Sequence, residues 1–412
     1  MPSAQSKNIA GGTPPLSLQK IATFDLIIEC SVGIYLIALF NPHVTALHSI
    51  GVYLGILTWV AKIVTQRFTG HQYLSAPLCK LWILFVLITF FSVFQSTDLK
   101  LSLSDFRKEF FEMVLIALPV ADIFRQPGRR SRLLSVMSFA ALTTAAASIY
   151  QYGIELVQLG HVSDNIHLHR DYANGLIFFI PYVFAHTCMT KTKWWGAVLL
   201  IIQCVLLMAT GARGAWIGLL LGMTLWLFFR FRLRAMMIAS SSLGILVVLG
   251  VFFIPQHLFM GKLAQGLDTS QRTRGTWGPT MEMINERPMF GFGFGKDIFH
   301  NEFNNRVDTH PNWSIRKSIG PHSSYLAIGF AAGYIGLLAM LIFYSRFIFD
   351  GFRLLKNNPP DRDHLVFLAT VGSFVALYLV RGIVEVVPWP AIGIHVGILL
   401  AMQHNHEPHL KP

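Results

Sequence analysis

Twelve apolar runs, each near the roughly 17–25 residues that a helix needs to cross about 30 Å of hydrocarbon, limit what this chain can fold into. They fall at about residues 21–40, 45–63, 76–94, 111–126, 132–157, 173–190, 193–210, 213–230, 233–255, 323–345, 364–381 and 387–402, the fourth and twelfth being the shortest. Of the 412 residues, 53% are hydrophobic and 13% charged, more apolar material than a soluble core could enclose. In lipid the backbone must satisfy its own polar groups, so only helices or closed barrels cross it, and these unbroken runs lack the period-two alternation of barrel strands. The expected fold is an all-α polytopic membrane protein with about 12 transmembrane helices.

Basic residues set the expected orientation. With a cytoplasmic N-terminus, the inner segments hold "RQPGRRSR", "TKTK", "RFRLR" and "SRFIFDGFRLLKNNPPDR" and carry 18 Lys and Arg against 6 in the short outer ones. The long outer segment carries 8 more, but long loops are translocated regardless of charge. The formal charge of +12 is therefore a topology signal, and no soluble basic domain is left to bind nucleic acid. The expected organisation is a cytoplasmic tail at 1–20, helices over 21–255, one large outer loop at 256–322 containing helix at about 276–287, helices over 323–402, and a tail at 403–412. The first residues lack the apolar core of a signal peptide. Cys30, Cys79, Cys188 and Cys204 lie in or beside apolar runs, outside the large loop, so no disulfide framework is expected there.

Within "LLMATGARGAWIGLLLGMTLWLFFR" a permanent cation, Arg213, stands between two apolar runs. Arg213 and Arg230 are 17 residues apart, about 26 Å of helix, which puts Arg213 at the outer mouth. A guanidinium beside a helix N-terminus suits phosphate, through forked hydrogen bonds and the dipole's positive end. The plain alternative is an interfacial arginine that snorkels. The same outer face carries Arg272 and Arg274, then Trp277, in "DTSQRTRGTWGPTMEMINERPMFGFGFG", and His322 at the start of the tenth run. The glycine run at 291–295 has no Lys-Ser/Thr after it and no strand before it, which removes a P-loop or Rossmann reading. Outer aspartates form no Asp-x-Asp pair, and His300, His310 and His322 match no common zinc spacing, so no metal is expected. Arg170 and Asp171, beside the polar "HVSDNIHLHRDY", are candidate sugar contacts. Arg381 and Glu385 would share a helical face near the outer boundary, either as a salt bridge or in binding or orienting His322.

Three motifs in order carry a resemblance: Arg-Gly-x-Trp-x-Gly at 213–218, Arg-x-Arg-x-x-Trp…Arg-Pro-x-x-Gly-x-Gly at 272–293, and His-x-x-x-Leu…Gly-x-x-Gly at 322–336. Over roughly 205–345 the chain resembles the O-antigen ligase and polymerase superfamily. It departs in having Ser323 after the histidine, Ala331 nine residues on, and Thr273 flanked by two arginines, so Arg272 and Arg274 both stand for the loop arginine. The resemblance implies a multi-pass bacterial inner-membrane glycosyltransferase, inverting and metal-independent, with no cofactor and a site facing the periplasm. It implies an undecaprenyl-diphosphate-linked glycan as donor and lipid A–core oligosaccharide as acceptor, with membrane lipid around both. His322 and Arg213 would be catalytic, Arg213, Arg272 and Arg274 would hold the diphosphate, and Arg170, Asp171, Trp277, Arg381 and Glu385 would support them. An O-antigen polymerase or a protein-glycosylating relative is the nearest alternative; a lipid-glycan transporter would spread charge along a midplane path rather than crowd one face.

Overall fold

A computed structural model describes residues 16–41, 44–65, 72–159, 170–191, 193–231, 241, 272–357 and 362–403. Among them every regular element is helical. The helices are α1 (Leu16–Ala38), α2 (Thr45–Thr65), α3 (Pro77–Val93), α4 (Leu99–Phe106, a π-type turn at Arg107–Phe111, then Glu112–Ile123), α5 (Pro127–Leu159), α6 (Arg170–Met189), α7 (Lys193–Ala209) and α8 (Arg213–Phe231). There follow α9 (Trp277–Glu286), α10 (Lys296–Arg306), α11 (Ser324–Asn357), α12 (Arg362–Phe374, a π-type turn at Val375–Arg381, then Gly382–Val384) and α13 (Pro390–Gln403). The expected run at 233–255, the loop residues 256–271 and most of both tails lie outside the described residues. The other apolar runs each coincide with a helix.

The molecule has the character of a polytopic membrane protein. Among the described residues four helices, Thr45–Thr65, Gly128–Glu155, Ser324–Lys356 and Asp363–Val384, are long and apolar enough to cross a bilayer. Shorter apolar helices stand beside them at Pro77–Val93, Lys193–Ala209 and Pro390–Gln403. Their outer surface is greasy where a soluble protein's would be polar. On α2 the exposed face is Leu47, Ile50, Leu54, Leu57 and Val64, while Gly51, Gly55, Thr58 and Lys62 turn inward. Small residues let the backbones meet: a Cβ on Gly51 would sit 2.7 Å from Tyr35 N on α1.

At one end of the bundle, charges bind five helices together. Lys62 Nζ lies 2.7 Å from Asp25 Oδ1 and 2.5 Å from Asp122 Oδ2, all three side chains buried. Arg129 reaches Asp25 and Glu29, and Arg130 reaches Asp363. Charges buried this deeply must be paired, because an uncompensated one costs several kcal/mol.

A glycine stripe seats α8 against α12. Gly214, Gly218 and Gly222 recur every four residues, and a Cβ would meet Val384 Cγ2 at 2.3 Å, Ala376 O at 2.4 Å and Gly372 O at 2.3 Å respectively. The stripe fixes Arg213, at the head of α8, beside the end of α12. Gly218→Val should therefore lower the thermal midpoint of the detergent-purified protein, by the equivalent of about 1–3 kcal/mol of overpacking. Gly153→Ala, where a Cβ meets nothing within 4 Å, should not. Equal melting of the two variants would refute this seating.

Residues 277–313 and the head of α11 build a second, smaller core from Met283, Ile284, Phe292, Phe299, Phe303, Trp313 and Phe330. The amphipathic helix expected at about 276–287 is α9. Arg306 clamps α9 to α10, with Nη2 2.9 Å from Glu286 Oε2 and Nη1 2.5 Å from Glu302 Oε2. The glycine run then docks on α11, which opens at Ala332 and Gly333. Phe292 N donates to Phe330 O (2.9 Å), Gly293 N to Ala331 O (3.0 Å), and Tyr334 N to Pro288 O (2.7 Å). Gly291 and Gly333, at φ +66° and +64°, face each other's backbones, where a Cβ would come within 2.3 Å of Phe330 O and 2.5 Å of Pro288 O. These glycines serve close backbone approach between a loop and an opened helix.

Candidate active site

The turn before α8 aims Arg213. Thr210 Oγ1 donates to Leu207 O (2.6 Å) and accepts from Ala212 N (3.2 Å), Gly211 takes φ +62°, and Trp216 Nε1 donates back to Leu207 O (2.8 Å). The tryptophan of the first motif thus locks the corner from which the arginine projects. Arg213 is half-buried, and Arg272 is close enough to be its coulombic neighbour. The two like charges concentrate positive potential at the head of α8.

Arg272 and Arg274 sit in a π-type turn, Arg272–Thr276, that leads into α9. Arg272 lies over the Trp277 ring, 5.5 Å from its centroid, and Trp277 Nε1 donates to His322 O at 3.3 Å. Trp277 is thereby the link between the loop arginine and the histidine. Arg274 is exposed, and its carbonyl accepts from Ser314 N (3.0 Å).

His322 has a left-handed backbone, φ +47°, the only non-glycine among the described residues with positive φ. Such a conformation costs energy and persists where the surroundings impose it. Here Gly320 and Pro321 lead in, Trp277 holds the His322 carbonyl, and Ser323 and Ser324 tie the next turn to α12. Ser324 N and Oγ both donate to Glu385 O, at 3.2 and 3.3 Å, and Ser324 Oγ accepts from Val387 N at 3.0 Å. Those bonds register the segment 385–387 against the head of α11, and His322 Nδ1 stands 3.1 Å from Glu385 Oε1.

The expected helical face shared by Arg381 and Glu385 does not form. The π-type turn at Val375–Arg381 and the end of the helix at Val384 leave Glu385 extended, φ −153° and ψ 154°. Its carboxylate goes to His322, while the buried Arg381 Nε donates to Asn174 Oδ1 on α6. The side chains of Arg170 and Asp171 lie outside the described part of the structure, as do His161, His167 and His169. His300 pairs with Ser318 Oγ (2.8 Å) and His310 stacks on Trp313 (4.6 Å between centroids), so the histidines weighed as a zinc set occupy separate neighbourhoods.

A cavity of about 510 Å³ opens beside His322 and Glu385. Asn174, Trp389, Phe294 and Phe330 line it, together with two charged groups that the sequence reading passed over, Glu109 and Lys296. Glu109 lies in the π-type turn of α4. Burial first, then Asp105 and Glu112, push its carboxyl up to about 7, against the pull of Lys296 and Lys108. Asp105 accepts hydrogen bonds from Lys296 N and Asp297 N and so caps α10 from another helix, supplying what Gly295 at the cap position cannot.

Residues 196–341 match the family described as O-antigen ligase. The chain is also 28% identical over 338 residues to the O-antigen ligase of Salmonella typhimurium, covering 77% of this chain and 81% of that one. Arg213, Arg272, Arg274, Trp277 and His322 fall inside the matched segment, whereas Glu109, Asn174, Arg381 and Glu385 reach the site from outside it.

Proposed function

We propose that this protein is a lipopolysaccharide O-antigen ligase. It transfers a glycan from undecaprenyl diphosphate to lipid A–core oligosaccharide, by inverting glycosyl transfer without metal, at the periplasmic face of the inner membrane. The observation that carries the reading is the chain of contacts from Arg213 through Arg272 and Trp277 to His322 and Glu385, the last two lining a cavity, in a chain whose residues 196–341 match the O-antigen ligase family. In this reading about twelve membrane helices leave both termini inside, and 256–322 is the periplasmic element roofing the cavity.

The chemistry follows from charge. An external site has no nucleotide supply, so the energy for transfer must be stored in the donor's anomeric bond to diphosphate. The acceptor oxygen attacks the anomeric carbon, the bond to phosphate oxygen breaks with its electron pair, and diphosphate leaves on the opposite face with inversion. Arg213 and Arg272 stabilise that developing charge, the electrostatic contribution that is commonly largest in catalysis. With Nδ1–H donated to Glu385, the other ring nitrogen of His322 is an acceptor and takes the hydroxyl proton, while the carboxylate steadies the imidazolium. Of the two loop arginines, Arg272 is the one in reach of Arg213 and Trp277, and we assign it the diphosphate.

The direct test supplies purified protein with lipid-linked glycan and lipid A–core in chelator, without nucleotide. Product joined to lipid A–core supports the ligase, glycan joined to glycan the polymerase, and no product refutes both. Glu385→Gln should lower kcat about 10-fold or more, within the range for impaired general-base assistance, with the KM for donor unchanged and partial recovery in Glu385→Asp. A rise in donor KM alone would move Glu385 from His322 to the donor.

A further inference from the structure

Resting on the ligase reading, we propose that the 510 Å³ cavity is the acceptor subsite, in which Glu109 binds the hydroxyls of a neutral sugar ring and Lys296 holds that carboxylate in place. The volume is that of an ordinary ligand pocket. Its walls are unsuited to diphosphate: Glu109 and Glu385 face it against the single cation Lys296, while Arg213, Arg272 and Arg274 are not among the lining residues. A polyanion there would meet carboxylates at close range. Phe294, Phe299, Phe330 and Trp389 instead present apolar faces to which the C–H side of a pyranose packs, leaving its hydroxyls for polar groups.

Placement of the base agrees. His322 lines the same cavity, so a hydroxyl bound there lies beside the proton acceptor, while Arg213 and Arg272, assigned to the leaving group, lie outside its lining. An ionised carboxylate is an acceptor with two oxygens, matched to neighbouring ring hydroxyls. Glu109 is not in this position by helical periodicity. It occupies one of the π-type turns among the described residues, and the other two carry Arg272 with Arg274, and Arg381. Single π turns inside α-helices are rare and recur at functional sites.

Charged groups face Glu109 from every side: Asp105, Lys108 and Glu112 from α4, Lys296 from α10, and His322 and Glu385 across the cavity. The upward push on the carboxyl is consistent with a group that changes charge near neutral pH. The wild-type KM for acceptor should then fall as pH rises through about 7, because the ionised form is the stronger acceptor. In Glu109→Gln that dependence should flatten.

The test is steady-state transfer by the purified full chain, varying lipid A–core and lipid-linked glycan separately, for wild type, Glu109→Gln and Ala327→Leu. The second variant narrows the cavity without touching a charge. Both should raise the acceptor KM about 10-fold or more, Glu109→Gln by loss of hydrogen bonds to a charged group and Ala327→Leu by filling space the sugar needs, with donor KM within two-fold and an unchanged thermal midpoint. An unchanged acceptor KM, or a rise in donor KM as large as that for acceptor, overturns the assignment. If Glu109→Gln melts early, Ala327→Leu decides by the same criterion. Absence of product from wild type would refute the ligase reading itself, and this subsite with it.

Discussion

Arg213→Ala should reduce transfer by about 10²–10³-fold, the loss that follows removal of one preorganised group stabilising developing negative charge. The expectation rests on where the residue is held. It heads α8, its corner is locked by Thr210 and Trp216, and the glycine stripe fixes the helix against α12. Arg272 stands close enough to repel it, a cost that a bound diphosphate would reverse. Arg213→Lys should recover little, since an ammonium restores the charge but not the two-pronged hydrogen bonding of a guanidinium. Donor binding should weaken alongside kcat, because phosphate oxygens are present before and during bond cleavage. The measurement is donor affinity and single-turnover rate in the two variants. Near-wild-type transfer by both would return Arg213 to a snorkelling residue at the membrane boundary.

The sequence carried the helices plainly and the site unevenly, for physical reasons. Apolar runs report helices because lipid leaves the backbone few choices, and each described run is helical. Arg213 and His322 stood out because each breaks a local pattern, a cation or an imidazole where an apolar run begins. Glu385 was visible, with a salt bridge to Arg381 and the orienting of His322 both open, and spacing alone did not choose between them. Four-residue spacing places it on the face of Arg381 only if the helix continues, and the π-type turn with the break at Val384 sends the two side chains to His322 and Asn174. Glu109 and Lys296 were hidden more deeply. They are 187 positions apart, and they meet because Phe294 packs on Phe106 and Phe110, and because Asp105 caps α10. No one-dimensional pattern encodes a contact of that kind. The glycine run at 291–295 gave the opposite lesson: its spacing invited a nucleotide reading, and its purpose is the approach of backbone to α11.

His322→Ala should leave binding of the lipid-linked donor largely intact while lowering turnover by at least ~10²-fold, the low end for loss of a general base. Its position supports a role in proton transfer over one in anion binding. The ring is engaged through Nδ1 by Glu385, and its neighbour across the cavity is a carboxylate. The residue is also held in a left-handed backbone that a flexible surface histidine would not adopt without compensation. Because Ala has no better access to that conformation, some of the loss could come from a displaced loop, so His322→Asn, which tolerates left-handed geometry better, is the companion variant. If the imidazole is the base, Asn should be as inactive as Ala while melting like wild type. Donor binding and product formation, measured side by side in chelator, separate the outcomes. Activity retained in His322→Asn would exclude the base. Equal loss of donor binding and turnover in both variants would make His322 part of the donor's seat, and complete inhibition of the wild type by chelator would bring a metal back into the mechanism.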